Sequence, residues 1–138
     1  MLQVLFCSLV ALVTSTEEPG SLSVNIPNIK GNKGEIVIGV YNSRENFPKV
    51  GMEYRVVRFP ANAAGSTFRI QDIKPGEYAV AMYHDENSDG ICNLNFLGIP
   101  KEGYGFSNNI KPIFSAPSFE DCKIKLTGDT HIAVQLIY

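Results

Sequence analysis

Pro75-Gly76-Glu77-Tyr78-Ala79-Val80-Ala81-Met82-Tyr83 runs without interruption into His84-Asp85-Glu86-Asn87-Ser88-Asp89-Gly90-Ile91-Cys92-Asn93, and the two halves ask for different explanations. The Pro-Gly pair sets a tight turn, and the mainly apolar run after it, with Tyr and Val among its residues, reads as a strand. In the second half three short oxygen-bearing side chains, Asp85, Asn87 and Asp89, alternate and then meet Gly90. The expected arrangement is a rigid strand with a polar loop hanging from its end.

On the N-terminal side, Leu22, Val24 and Ile26 alternate with Ser23, Asn25 and Pro27, the period of a half-buried strand ended by proline. Glu35-Ile36-Val37-Ile38-Gly39-Val40-Tyr41 is too continuously apolar for a one-sided strand, so it is placed centrally, with Gly39 marking a bulge. Residues 54–59, where Arg55 and Arg58 leave no clean face, read as an edge strand, and residues 67–70 alternate again. On the C-terminal side, residues 110–117 contain Pro112 and Pro117 and resist regular structure. Residues 119–126 and 130–137 then alternate, Ile124 and Leu126 sharing one face of the first, and Ile132, Val134 and Leu136 one face of the second; Thr127-Gly128-Asp129 joins them as a hairpin. About seven strands with no amphipathic helix longer than a turn or two give an all-β class. The architecture expected is a single seven-stranded antiparallel β-sandwich, immunoglobulin-like or transthyretin-like, with one long ordered loop.

The composition narrows the function classes. A net charge of -2 and no basic stripe give no electrostatic reason to expect nucleic acid or an anionic membrane surface as partner. Residues 2–13 are apolar apart from Gln3 and Ser8 and carry no charge, too short a run to span a bilayer. With Val13-Thr14-Ser15 acceptable to a signal peptidase, residues 1–15 read as a signal peptide and residues 16–138 as one β-sandwich domain, secreted or periplasmic, without a transmembrane segment in the mature chain. That compartment permits a disulfide between Cys92 and Cys122, which would tie the polar loop to the C-terminal strands; two buried free thiols are the alternative.

The polar loop has the order of half a calcium loop. Side-chain oxygens at positions 1, 3 and 5, glycine at 6, a carbonyl at 7 and a ligand at 9 correspond to Asp85, Asn87, Asp89, Gly90, Ile91 and Asn93. Position 12, where a bidentate Glu closes such a site, is Phe96, so a closing carboxylate has to come from elsewhere, Glu86 and Glu102 being the nearest candidates. The same residue types also build ordinary turns. Asp85, Glu86 and Asp89 would repel one another with no cation among them, which favours calcium as cofactor. Zinc is poorly served, with His84 the one nitrogen close by.

Roughly 25 residues separate the strand ending at Tyr83 from the next regular one, and loops of that length in compact domains are functional or disordered. Phe96, Leu97, Ile99, Tyr104 and Phe106 argue for order: they either pin the loop to the sheet or, exposed, offer a platform for ligands, with Tyr104 and Phe106 the candidate ligand-binding residues. Asn108 and Asn109 can cap the loop or donate oxygens to a cation.

Pro75-Gly76-Glu77-Tyr78-Ala79-Val80, Tyr83-His84-Asp85-Glu86-Asn87, Asp89-Gly90, Asn95-Phe96-Leu97-Gly98-Ile99-Pro100 and Glu102-Gly103-Tyr104-Gly105-Phe106-Ser107-Asn108-Asn109 together resemble the bacterial exported family called domain of unknown function 2141. The resemblance implies a small exported β-sandwich, similar in outline to transthyretin-like or immunoglobulin-like domains, with no established activity. It also implies an Asp where this chain has Asn93, so that calcium would be held more weakly here if that position ligates.

Catalysis is not expected. His84 and Asp85 are neighbours on a strand and point to opposite faces, and the chain ends Gln135-Leu136-Ile137-Tyr138, without the C-terminal Tyr-Arg-Gly-Ser of transthyretin-like hydrolases. The expected function is an exported binding or structural module of the cell envelope with a calcium-binding loop, its ligand a carbohydrate or a protein. The alternative is a small-molecule carrier or hydrolase that uses the 84–109 loop as a pocket wall. A module should show a shallow aromatic surface, an enzyme a closed pocket with a perturbed histidine.

Overall fold

The computed structural model describes residues 12, 16–62, 67–96 and 98–138. The signal peptide expected over residues 1–15 lies, Leu12 apart, outside them. Among the described residues eight strands form in chain order: β1 (Gly20–Asn25), β2 (Glu35–Tyr41), β3 (Arg55–Pro60), β4 (Thr67–Ile73), β5 (Gly76–Asp85), β6 (Tyr104–Phe106), β7 (Ile124–Leu126) and β8 (Thr130–Ala133), with a 3-10 turn at Ser107–Asn109 and an α-helical turn, α1 (Phe119–Cys122). They make two sheets, β4-β1-β8 and β3-β2-β5-β6, and β7 also pairs with β5. No helix among the described residues is long and apolar enough to cross a membrane.

The alternation of the sequence decides which side chains meet. Leu22 and Val24 of β1 face Ile36, Ile38 and Val40 of β2 and Val80 and Met82 of β5 across a single core that Phe68, Ile70, Ile73, Leu126, Val134 and Leu136 complete. Each such aliphatic side chain taken from water stabilises the fold by about 1.5–3 kcal/mol, which holds the two sheets face to face.

β5 is the spine. Residues 79–85 pair with β2 along one edge, while the other edge is divided between β7, opposite Gly76–Tyr78, and β6, opposite residues 81–83. The expected central place of β2 and edge place of β3 are found.

Several expectations give way to stronger local forces. The seven antiparallel strands become eight, one pairing being parallel, because β8 lies alongside β1 in the same direction. Thr127-Gly128-Asp129 is not a hairpin: β7 belongs with β5 and β8 with β1, so the turn passes the chain from one sheet to the other. Residues 119–122 form the helical turn rather than a strand, because Ser118 caps it, its Oγ accepting from Asp121 N at 3.2 Å. Phe119 and Cys122 are then buried with Tyr41, Phe47 and Ala79 in a second apolar cluster.

The last strand splits likewise. Residues 130–133 pair with β1, whereas Ile137 bridges Tyr104 on β6, so the chain end crosses between the sheets. Asn28 clamps that crossing, donating from Nδ2 to Leu136 O and accepting from Leu136 N through Oδ1, both at 2.8 Å or less. Gly39 marks no bulge, since β2 keeps register with β3 and β5 through it. The bulge is in β4, where Gly20 opposes Ile73 but Leu22 opposes Ile70, and the extra residue, with Asp72 at φ 59, returns Ile73 to the core.

Candidate functional site

β5 delivers Asp85 to the edge of the core, where the carboxylate is wholly buried. Gly34, at φ +75, gives the Asp85 main chain room to pass, since a Cβ there would lie 1.9 Å from the Asp85 backbone carbonyl oxygen. The loop then folds around that carboxylate: Oδ1 accepts from Asp89 N at 3.2 Å and Oδ2 from Gly90 N at 2.8 Å. Asp89 in turn gathers the rest, Oδ1 accepting from Ile91 N at 2.9 Å and Oδ2 from the side-chain amides of Asn87 at 3.0 Å and Asn93 at 2.8 Å. Ser88 and Gly90 take left-handed conformations to make the turn. Asp85, Asn87, Asp89, Ile91 and Asn93 are thus brought into one turn, held by side chains bonding to backbone and to each other.

Glu102 reaches the same place from the far end of the loop. Burial first, and then the charge of Asp85, raise its carboxyl above the ordinary Glu range, while the Asn93 amide opposes the shift. Its Oε2 is buried with no hydrogen-bond partner. Asp89, fully exposed, is lowered, chiefly by the Asn93 hydrogen bond. Asp85, Asp89 and Glu102 thus act on one another across one loop, and the orphaned Glu102 oxygen is of the kind a hard cation takes as ligand. The carboxylates are nonetheless not drawn together as a cage: no group of three or more His, Cys, Asp or Glu among the described residues is placed to hold a metal. The remaining ligands would have to be Asn and carbonyl oxygens.

His84 is buried and fully engaged. Tyr138 Oη accepts from Lys30 N at 2.8 Å, so its proton goes to Nδ1 of His84 at 3.0 Å, leaving Nε2–H to donate to Lys33 O at 2.8 Å. It pegs the chain end to the loop before β2. His131 is exposed on β8. Asn108 and Asn109 tie down the chain around them: Asn108 Nδ2 donates to Asp121 O and Lys123 O at the end of α1, and Asn109 donates from Nδ2 to Ala133 O and accepts from Gln135 N through Oδ1. Cys92 and Cys122 are both free. Cys122 is buried with Ala79 in the second apolar cluster, while Cys92 is half-buried in the loop that follows Asp85.

Tyr104 and Phe106 stand half-buried on β6, ring centroids 6.1 Å apart, and line a cleft of about 670 Å³ on the outer face of the larger sheet. Register explains its shape. Val56, Gly39, Ala81 and Phe106 lie in one row across β3, β2, β5 and β6. The adjacent row holds Val37, Tyr83 and Tyr104, and Tyr41 follows on the opposite side. Small residues at the centre of the row leave a trough between tyrosines. A side chain at Gly39 would crowd the trough, its Cβ standing 3.0 Å from the Tyr41 ring and 3.1 Å from Glu53 Cγ, so that these side chains would have to shift. The loop supplies one wall through Cys92, Leu94, Ile99 and Pro100, and the proline-rich segment supplies another through Ile113 and Phe114.

The sequence reading found Tyr104 and Phe106 but missed the floor, Glu53 and the second wall. The available signal was the apolar character of both faces of β2: Val37 and Tyr41 point away from the core yet are buried, so something must cover them.

Residues 24–133 match the family described as "Uncharacterized protein conserved in bacteria (DUF2141)". The chain belongs to this family. The match spans β1 to β8, and so includes the DUF2141 loop and every strand that lines the cleft. No curated protein and no solved structure matches the chain.

Proposed function

We propose that this DUF2141 protein is an exported binding module of the cell envelope, in which calcium at Asp85, Asn87, Asp89, Ile91 and Asn93 fixes the loop that walls the cleft. The observation that carries the reading is the buried, unpartnered Oε2 of Glu102 beside Asp85 and Asp89. It would supply the closing carboxylate that Phe96 cannot, and a cation there would offset both the burial and the Asp85 charge that raise Glu102. The two-sheet scaffold serves as in immunoglobulin-like or transthyretin-like domains, a rigid body that positions loops.

Binding is favoured over catalysis because the cleft is open and aromatic, no histidine lines it, and both ring nitrogens of His84 are already bonded. The carrier reading shares the cleft, whose lining includes Cys92, Leu94, Gly98, Ile99 and Pro100. A carbohydrate fits less well, because the lining offers few hydrogen-bonding groups.

Thermal unfolding of the purified protein in EDTA and in millimolar calcium tests the reading. With a Kd near 10 μM, about 1 mM free calcium adds roughly 2.7 kcal/mol, a rise of several degrees in Tm. An unchanged Tm would remove calcium from the account and leave Asp85–Gly90 as an ordinary turn.

A further inference from the structure

The cleft carries its own indication of ligand class. Its volume of about 670 Å³ suits a small molecule. Of the described residues that line it, Glu53 alone bears a charge, and no Lys, Arg or His is among them. Glu53 is positioned by the site itself: Oε1 accepts from Tyr41 Oη at 3.3 Å, and both oxygens accept from Gly51 N. A carboxylate accommodates about four hydrogen bonds, so Glu53, a lining residue with three, retains acceptor capacity on Oε2. Arg58, on β3 at the end of the row that holds Val37, Tyr83 and Tyr104, stands outside the lining, where it is shared between the Tyr83 hydroxyl and Glu35, the latter at 3.6 Å. Aromatic rings attract cations through their negative faces, and Tyr41, Tyr83, Tyr104 and Phe106 surround the small central residues.

Resting on the reading of the protein as a binding module, we propose that the cleft binds a small organic cation with an apolar body, seated on Gly39 and Ala81 between Tyr41 and Tyr83 with its charge toward Glu53. An anion of the same shape would meet the Glu53 charge and the ring faces with the wrong sign, and would find no counter-ion in the lining.

Equilibrium dialysis with tetraphenylphosphonium and tetraphenylborate, ions of like shape and opposite charge, reads the preference directly on the wild-type protein. The phosphonium is expected to bind at least about ten-fold more tightly than the borate. Glu53→Gln, which keeps an oxygen for Gly51 N, is expected to erase most of that ratio, and Ala81→Leu, which fills the trough, to abolish binding of both ions. Equal affinities, or tighter binding of the borate, would overturn the cation preference while leaving a binding module in place. Binding of neither ion would overturn the cleft as a ligand site and the module reading with it.

Discussion

Replacing Asp85 separates what the loop owes to its own hydrogen bonds from what it would owe to a cation. The carboxylate is wholly buried and accepts from two backbone N–H groups, Asp89 N at 3.2 Å and Gly90 N at 2.8 Å. Hydrogen bonds to a charged group contribute about 1.5–3 kcal/mol each, and with the 3.2 Å bond from Asp89 N at the weak end of that range Asp85→Ala removes about 3–5 kcal/mol. Losing the repulsion that Asp85 exerts on Glu102 returns about 1 kcal/mol, leaving a net loss of about 2–4 kcal/mol in EDTA. At about 4 °C per kcal/mol for a domain of this size, Tm falls by about 8–16 °C. Asp85→Asn, which keeps one oxygen but turns an amide toward the other N–H, should fall by about half as much. Calcium then discriminates: the wild type gains roughly 2.7 kcal/mol at 1 mM and a Kd near 10 μM, the variants gain nothing, and the gap to Asp85→Ala widens to about 5–7 kcal/mol. Scanning calorimetry in both buffers measures it. A gap of the same size with and without calcium would refute the reasoning, because Asp85 would then hold the turn and nothing else.

Glu102 gives the opposite sign. Its folded pKa is raised, so the stability it contributes is present below the ordinary Glu value of about 4.3 and is lost as pH rises through the folded value. In EDTA at pH 7, Glu102→Gln should therefore be more stable than the wild type in urea unfolding, the two should converge as pH falls below about 4, and calcium should reverse their order. Asn28→Ala strips two hydrogen bonds from the Leu136 backbone and should cost about 2–4 kcal/mol in the same assay, with no dependence on calcium. The Cys122 thiol, pushed up to about 11 by burial and then by Asp121, should resist iodoacetamide at pH 8 in the native protein and react on unfolding. Modification of Cys122 at native conditions, read by peptide mass spectrometry, would show the second apolar cluster to be open.

Where side-chain period decides the outcome, the fold was legible. Leu22, Val24, Ile124, Leu126, Val134 and Leu136 all face the core as their alternation requires. Period says which face a residue takes and nothing about its partner, so the parallel pairing of β8 with β1 and the passage of residues 127–129 between sheets were not available from it. Over four residues a strand and a helical turn look alike, and at Phe119–Cys122 the Ser118 cap decided the matter. The bulge did leave a trace, the three-residue spacing from Ile70 to Ile73, which Gly39 drew attention away from. In the candidate site the local part, Asp85 to Asn93, could be read because its members are close in sequence. Glu102 was one of two candidates for a closing carboxylate, and its approach to Asp85 depends on how the loop folds back. Glu53 and the second wall of the cleft are joined to Tyr104 and Phe106 by sheet register alone.

Amide hydrogen exchange tests most directly whether an ion fixes the loop that walls the cleft. In 1 mM calcium, residues 86–100 should exchange more slowly than in EDTA, and Asp85→Asn should abolish the difference while β2 and β5 remain protected in both buffers. Exchange through residues 86–100 that is the same in calcium and in EDTA would contradict the account.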